Sequence, residues 1–320
     1  MKALWFNGRN LELREIRKPR PTKNEALVKV HFVGICNTDL EILKGYMGFV
    51  GVPGHEFVGI VEQGPSRWLG KRVVGEINLA CGKCGYCGRG LAKHCPNRKV
   101  LGIARKNGAF AEYITLPIQN LHEVPDSVSD KEAVFVEPLA AALRILDQVK
   151  INKKQKIFVL GDGKLGQLIA RVVKLKTRNL MLVGKHPEKL ALAMHLGIKT
   201  ALAGNLRLKP EDKPELVIEA TGSPEGFNQA IGLCRPQGTV VLKSTFNQNP
   251  GLNLSQIVVD EITIIGSRCG DFQKALKALK SGKINLDRMI TGVYALEKFR
   301  GAFAKARSSH TLKVLIKCLI

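Results

Sequence analysis

The sequence predicts an α/β fold in two parts, a mostly-β domain followed by a doubly wound parallel sheet. Up to about residue 120, short runs rich in β-branched residues are separated by glycines and prolines, which is typical of a small irregular barrel. From residue 157 onward, short apolar runs alternate with helical patterns, as a doubly wound sheet requires.

The composition is that of a folded globular protein with an excess of basic residues. The 320 residues include 45% hydrophobic residues, and Lys plus Arg outnumber Asp plus Glu by 50 to 27. Basic residues are spread along the chain without a basic arm, so we expect no nucleic-acid partner. No apolar run reaches membrane-spanning length, and the first residues lack the features of a signal peptide. We therefore expect no membrane association and a cytoplasmic location.

Two segments of the first part combine residues that suit zinc. Cys36 lies in Gly-Ile-Cys-Asn-Thr-Asp, and His55 and Glu56 lie in Gly-His-Glu. A thiolate, an imidazole and a carboxylate are zinc ligands, and a catalytic zinc keeps one position open. A single cysteine is more often a small buried apolar side chain, so the interpretation depends on the combination.

Four further cysteines form a dense cluster in the sequence. Their spacing is C-x2-C-x2-C-x7-C within fifteen residues, and they are Cys81, Cys84, Cys87 and Cys95. Four sulfurs can close a tetrahedral site that leaves no position for a substrate, which indicates a structural zinc. An iron–sulfur cluster is the competing metal interpretation.

A glycine-rich turn opens the second part. The apolar run 157–160 is followed by Gly161-Asp162-Gly163-Lys164-Leu165-Gly166 and then by apolar residues at helical spacing. Strand, G-x-G-x-x-G turn and helix, in that order, predict a dinucleotide site, with the phosphates at the helix N-terminus. Thr221, after the predicted strand 216–220, is a second candidate at the ligand-binding edge of the sheet.

The order of these motifs resembles that of the zinc-dependent medium-chain alcohol and polyol dehydrogenases. The segments 108–113 and 137–139 are also similar to family segments. The resemblance implies a GroES-like catalytic domain (residues 1–139 and 290–320), a Rossmann domain (residues 140–289) and an active site between them. It also implies a homo-oligomer, either a dimer or a tetramer.

By this resemblance, Cys36, His55 and either Glu56 or Glu137 would hold the catalytic zinc. Thr38 would link the substrate oxygen to the cofactor ribose. Many relatives carry a histidine three residues after that threonine, where this chain has Glu41, so the usual proton relay has no counterpart at that position.

The remaining elements follow from local patterns. Proline at position 138 predicts a kink or a fresh start within a helix over 131–149. Further helices are predicted over 187–196 and 272–279, and strands over 27–33, 57–61, 72–74, 180–183, 239–242, 262–265 and 313–320.

The turn after the second strand predicts the choice of cofactor. An acid at that position binds the ribose hydroxyls of NAD, but the residues here are Gly184, Lys185 and His186. Lys185 and His186 are candidate partners for a 2′-phosphate, so the sequence predicts NADP in preference to NAD. The alternative interpretation is that Lys185 is a solvated loop lysine with no role in cofactor binding.

The sequence thus predicts a zinc-dependent alcohol dehydrogenase that moves a hydride between NADP (or NAD) and an alcohol or polyol. The +23 charge motivates one alternative, a non-catalytic protein that binds nucleic acid or other polyanions on a dehydrogenase scaffold. A zinc-free quinone-type reductase is the other alternative. The Cys36, His55, Glu56 and Glu137 set favours the zinc enzyme over both.

Overall fold

A computed structural model describes residues 1–245, 251 and 254–318 of the chain. It divides into two compact units, the first formed by Met1–Glu137, Leu276–Lys280 and Met289–Ile320, and the second by Pro138–Ala275 and Ser281–Arg288. The fold class is the predicted one, a mostly-β unit and a unit built on a parallel sheet. None of the described helices is both long and apolar enough to cross a lipid bilayer.

The strands, in chain order, are β1 (Lys2–Phe6), β2 (Leu11–Glu15), β3 (Glu25–Gly34), β4 (Glu56–Gln63), β5 (Arg72–Gly75), β6 (Asn78–Leu79), β7 (Lys99–Leu101), β8 (Arg105–Lys106), β9 (Tyr113–Pro117), β10 (Leu121–Glu123), β11 (Ile157–Leu160), β12 (Leu180–Gly184), β13 (Lys199–Leu202), β14 (Leu216–Glu219), β15 (Thr239–Leu242), β16 (Thr263–Gly266), β17 (Ile290–Ala295) and β18 (Lys313–Lys317). The helices are α1 (Asn37–Ile42), α2 (Gly85–Gly88), α3 (Asp130–Ala133), α4 (Val136–Gln148), α5 (Lys164–Lys174), α6 (Pro187–His195), α7 (Pro224–Leu233), α8 (Leu254–Val259), α9 (Phe272–Lys280) and α10 (Phe299–Arg307).

The first unit is organised around β3. This long strand lies between β4 and β18 in a sheet of order β10-β5-β4-β3-β18-β17, and β9 pairs with it as well. Its side chains are mostly buried, in agreement with the β-branched pattern that predicts it. β3 runs antiparallel to both β4 and β18, so the end of β3 at Gly34 meets the start of β4 and the middle of β18.

The second unit is a six-stranded parallel sheet of order β13-β12-β11-β14-β15-β16. The strand order reverses between β11 and β14, and in such sheets ligands bind beyond the carboxyl ends of the strands at that point. Gly161 follows β11 there, and Thr221 comes two residues after β14. The four residues of β11 are all buried, as the apolar run predicts.

Some predicted elements agree with the structure only in part. The helix predicted over 131–149, with a kink or a fresh start at Pro138, is two helices, α3 and α4; the structure has the fresh start, with Pro138 in the first turn of α4. β13 and α7 are not predicted; β13 is only half-buried, and α7 contains two glycines that weaken its helical pattern. The predicted C-terminal strand corresponds to β18, and its last two predicted residues, Leu319 and Ile320, lie outside the described part of the chain.

Two glycines of the turn after β11 provide a matched test of the helix packing. A Cβ on Gly166 would lie 1.8 Å from the carbonyl oxygen of Gly161, whereas a Cβ on Gly163 would have no atom within 4 Å. We expect Gly166→Ala to cost about 3 kcal/mol of folding free energy, the upper range for overpacking. Gly163→Ala should cost at most about 1 kcal/mol, the loss of a favourable N-cap residue. Chemical denaturation measures both, and equal midpoints for the two variants would contradict this account of the turn.

Candidate active site and metal centres

The strand register brings the first predicted metal group together. Gly34 of β3 pairs with Glu56 of β4, so residues just beyond these strand ends meet. The ligand atoms of Cys36, His55 and Glu56 lie within 4.8 Å of one another. His55 and Glu56 are buried, and Cys36 is half-buried. One thiol, one imidazole and one carboxyl group thus converge, as the sequence predicts.

Asp39 joins the two segments and was not singled out from the sequence. Its side chain is fully buried, and its Oδ2 atom accepts a hydrogen bond of 2.8 Å from the backbone N–H of Cys36. Its Oδ1 atom accepts one of 3.2 Å from the backbone N–H of Gly54 and lies 3.4 Å from His55 Nδ1. Position 39 is the third residue of α1 after Cys36, where an acid commonly caps a helix. That capping position was the available sequence signal.

Lys313 is the second residue that sequence reasoning missed. β18 brings it beside the end of β3, where its Nζ atom donates to Glu56 Oε2, and both side chains are 1% exposed. Burial lowers the pKa of Lys313, but Glu56 and Cys36 outweigh this effect and raise it above its ordinary value. A Cβ at position 34 would lie 2.6 Å from Glu56 Oε2 and 3.1 Å from Lys313 Cδ, so the pair requires glycine there.

The electrostatics of this group fit a bound cation. Burial lowers the pKa of His55, but the Asp39 carboxylate and the Cys36 side chain raise it well above its ordinary value. Surroundings that stabilise a proton on the imidazole also favour a divalent metal ion in its place. Sulfur, nitrogen and oxygen donors together suit zinc better than magnesium or calcium.

Two other predicted residues, Thr38 and Glu137, have definite places. Thr38 Oγ1 lies 3.8 Å from Cys36 Sγ, so the hydroxyl borders the metal group. Glu137 is half-buried in the first turn of α4, and its charge also contributes to the raised pKa of Lys313. Among the described residues, the group that could hold a metal with Cys36 includes Glu56 but not Glu137.

Glu41 lies on the surface of α1. Its carboxylate accepts a hydrogen bond of 2.8 Å from Lys44 Nζ, and both side chains are exposed. Glu41 is therefore engaged in an ion pair at the protein surface.

The four-cysteine lobe is also assembled. The Sγ atoms lie 3.5 Å apart for Cys84–Cys87 and Cys95–Cys81, 3.7 Å apart for Cys84–Cys95 and 4.0 Å apart for Cys81–Cys87. A disulfide requires sulfurs about 2 Å apart, which these are not. Zinc–sulfur bonds of about 2.3 Å in a tetrahedron place the sulfurs about 3.8 Å apart, so one zinc ion fits the group.

Backbone groups in the lobe favour the thiolate form of one ligand. The N–H of Lys83 and the Cys95 side chain lower the pKa of Cys81 to about 6. Metal ions bind the thiolate, so this environment prepares Cys81 as a ligand. A cluster with several iron atoms would hold the sulfurs farther apart than one ion does, which favours zinc over an iron–sulfur cluster.

The glycine turn has the geometry that close backbone approach requires. Gly161 has φ +107°, and a Cβ there would lie 2.5 Å from the carbonyl oxygen of Ala220. Gly163 precedes α5, and Lys164 and Leu165 are half-buried in its first turn. The N-terminus of α5 thus lies at the carboxyl edge of the sheet, where it can bind an anion.

The other two predicted cofactor regions border the same edge. Thr221 Oγ1 donates a hydrogen bond of 2.6 Å to Glu219 Oε1, which fixes the turn after β14. The backbone N–H groups of Lys185 and His186 both donate to the Asp162 carboxylate, at 2.7 Å each. An acid therefore lies at the end of β12 after all, supplied by the glycine turn, which the sequence prediction of cofactor choice did not consider.

Comparison with known proteins decides the family. A family model for the alcohol dehydrogenase GroES-like domain matches residues 22–126, and one for zinc-binding dehydrogenases matches residues 165–281. The sorbitol dehydrogenase of Halalkalibacterium halodurans is 30% identical over 95% of this chain and 94% of its own. The D-arabitol-phosphate dehydrogenase of Enterococcus avium is 32% identical over 95% and 92%. This chain belongs to the zinc-dependent medium-chain alcohol and polyol dehydrogenases.

Solved structures of the family agree with the fold. An Escherichia coli alcohol dehydrogenase complexed with NADH has a TM-score of 0.92 and 27% identity, covering 99% of both chains. A zinc-binding dehydrogenase of Sinorhizobium meliloti bound to NADP has a TM-score of 0.90 and 28% identity, covering 99% of this chain and 98% of its own.

Removal of one lobe cysteine should abolish metal binding at the lobe and leave the metal at the other centre. We expect the wild-type protein to contain about two zinc ions per chain and Cys84→Ser to contain about one, because three sulfurs hold the lobe ion poorly. Metal analysis by plasma emission measures the content, and thermal unfolding should show lower stability for the variant. Cys234→Ser, a buried cysteine outside the lobe, is the control for cysteine loss and should keep both ions. Iron in place of zinc would refute the interpretation of the lobe.

Proposed function

We propose that this protein interconverts an alcohol or polyol with its aldehyde or ketone, using a catalytic zinc and a nicotinamide dinucleotide. The observation that carries the proposal is the convergence of Cys36, His55 and Glu56 within 4.8 Å. Membership of the dehydrogenase family supports it, as do relatives that act on sorbitol and on D-arabitol phosphate. A polyol with adjacent hydroxyl groups is the substrate class that we favour.

Cys36 and His55 would hold the catalytic zinc together with either Glu56 or Glu137. When bound, zinc supplies a Lewis acid that favours loss of the hydroxyl proton of the substrate. Asp39 beside Nδ1 leaves the Nε2 atom of His55 for the metal and fixes the ring. The Lys313 ion pair holds Glu56 next to the other two donors. Thr38, beside Cys36, would accept and pass on the hydroxyl proton of the substrate.

The two units divide these tasks in our proposal. Residues 1–139 and 290–320 form the catalytic domain, with a structural zinc on Cys81, Cys84, Cys87 and Cys95. Residues 140–289 form the dinucleotide-binding domain, with the pyrophosphate at the turn 161–166. Lys164, Leu165, Lys185, His186 and Thr221 line the remainder of the cofactor site. The nicotinamide supplies the hydride chemistry.

Substitution of the metal group tests the catalytic assignment. We expect His55→Ala to abolish turnover, because the zinc loses a ligand, while the four-sulfur lobe keeps its ion. Glu56→Gln and Glu137→Gln should both reduce kcat/KM but unequally, and the carboxylate that acts indirectly should cost about 10–100-fold. The measurement is nicotinamide absorbance with a panel of polyols, alongside zinc content. Wild-type turnover in His55→Ala would remove this residue from the mechanism.

We also propose that the protein is a homo-oligomer that associates through the β16 side of the second unit. β16 lies at the end of the strand order, where its backbone can pair with another strand. Apolar side chains are exposed nearby, since Leu254 is 64%, Val258 75% and Val259 79% exposed. Exposed apolar groups next to an edge strand commonly mark an interface.

A charge at this surface should dissociate the oligomer. We expect Val259→Glu to elute as a smaller species than the wild type in size-exclusion chromatography with light scattering, because a buried unpaired carboxylate disfavours association. Met194→Glu is the matched control, since Met194 is 60% exposed on α6, away from β16. Two results would contradict this assignment. One is a monomeric wild type. The other is an oligomeric wild type with Val259→Glu and Met194→Glu both retaining the wild-type mass.

A further inference from the structure

Asp162 lies in the glycine turn, but its carboxylate reaches the end of the neighbouring strand. The residue is 5% exposed, and its Oδ2 atom accepts the backbone N–H groups of Lys185 and His186. The Nδ1 atom of His186 lies 3.0 Å from the other oxygen, Oδ1. The carboxylate is therefore held in one orientation by three contacts from a single loop.

The side chain of Asp162 occupies the space that a side chain on Gly184, the last residue of β12, would need. A Cβ on Gly184 would lie 2.3 Å from Asp162 Oδ2 and 2.5 Å from Asp162 Cβ. In NAD-binding sheets of this kind, an acid at the end of the second strand accepts hydrogen bonds from the adenosine ribose hydroxyls. Gly184 lacks such a group, and the carboxylate of Asp162 lies in its place.

We propose that Asp162 is a specificity-determining residue, which supplies from the glycine turn the carboxylate that recognises the adenosine ribose. The assignment rests on the proposed dinucleotide function. A carboxylate oxygen can accept more than one hydrogen bond, so Oδ1 retains capacity for a ribose hydroxyl. The same negative charge repels a 2′-phosphate.

Lys185 acts in the opposite direction. Its side chain is exposed, and its backbone N–H is already bonded to Asp162. An ammonium group beside the ribose attracts a 2′-phosphate, as the sequence predicts. The Asp162 carboxylate therefore favours NAD(H), and the Lys185 ammonium favours NADP(H). With both side chains present, this chain binds both dinucleotides, and the relative strength of the two effects sets the ratio of their affinities.

The test is equilibrium binding to the zinc-loaded enzyme, independent of turnover. Dissociation constants of NADH and NADPH are measured by fluorescence titration for the wild type, Asp162→Asn and Lys185→Gln. Asn keeps an acceptor oxygen for the loop and removes the charge. We expect Asp162→Asn to change the affinity ratio in favour of NADPH by about tenfold or more, the scale of one charge-assisted hydrogen bond. Lys185→Gln should change it in favour of NADH.

Two controls isolate the effect of Asp162. Lys176→Gln removes an exposed lysine elsewhere in the same unit and should leave the ratio unchanged. The second control uses the wild type alone. We expect 5′-AMP to compete with NADH better than 2′-deoxy-5′-AMP does, because the deoxy compound lacks the 2′-hydroxyl that would donate a hydrogen bond to Asp162.

The outcomes separate this assignment from the proposed function. If both dinucleotides bind the wild type but Asp162→Asn leaves their ratio unchanged or weakens both equally, Asp162 only supports the loop and the assignment is wrong. Equal competition by 5′-AMP and its 2′-deoxy form would also overturn it. If neither dinucleotide binds the wild type, the proposed function fails and the assignment fails with it.

Discussion

The buried carboxylate of Asp39 is the constraint on which the metal site depends. A carboxylate removed from water is costly unless hydrogen-bond donors surround it. Here the donors are the backbone N–H groups of Cys36 and Gly54, and the imidazole of His55 lies against the same carboxylate. Satisfying Asp39 therefore requires the loop after β3 and the loop before β4 to meet, and that meeting positions the sulfur and the imidazole.

Charge balance explains why a cation belongs at this site. Metal binding requires Cys36 as a thiolate and His55 as a neutral imidazole. In that state the Cys36 thiolate and the carboxylates of Asp39 and Glu56 outnumber the one buried ammonium group, that of Lys313. Buried charges are stable only when opposite charges or hydrogen bonds compensate them. A divalent ion supplies the missing positive charge, so binding of the metal and folding of this unit are coupled. Lys313 holds Glu56 in place, but its single positive charge compensates only one of the negative groups.

The sequence predicted the features whose residues lie close together in the chain. The spacing of the four cysteines and the strand–turn–helix pattern at 157–166 correspond to assembled structures, because in each case the residues are close in the chain. Lys313 and Glu56 are 257 positions apart, and no local pattern connects them. The contact between Asp162 and the loop after β12 also depends on how two strands pair in the sheet. Cys36 and His55 were combined because their residue types suit zinc, and the family resemblance then supported the pair; periodicity carries no such information.

The position of β18 in the sheet has a consequence for synthesis on the ribosome. β18 pairs with β3, yet it is made only after the whole parallel-sheet unit has been translated. Until then, one edge of β3 lacks its partner strand, and the Glu56 carboxylate lacks its ammonium. An unpaired central strand is a template for association with other chains, so we expect the nascent protein to be prone to aggregation during that interval. Early zinc capture or a chaperone that covers β3 would protect the chain during that interval.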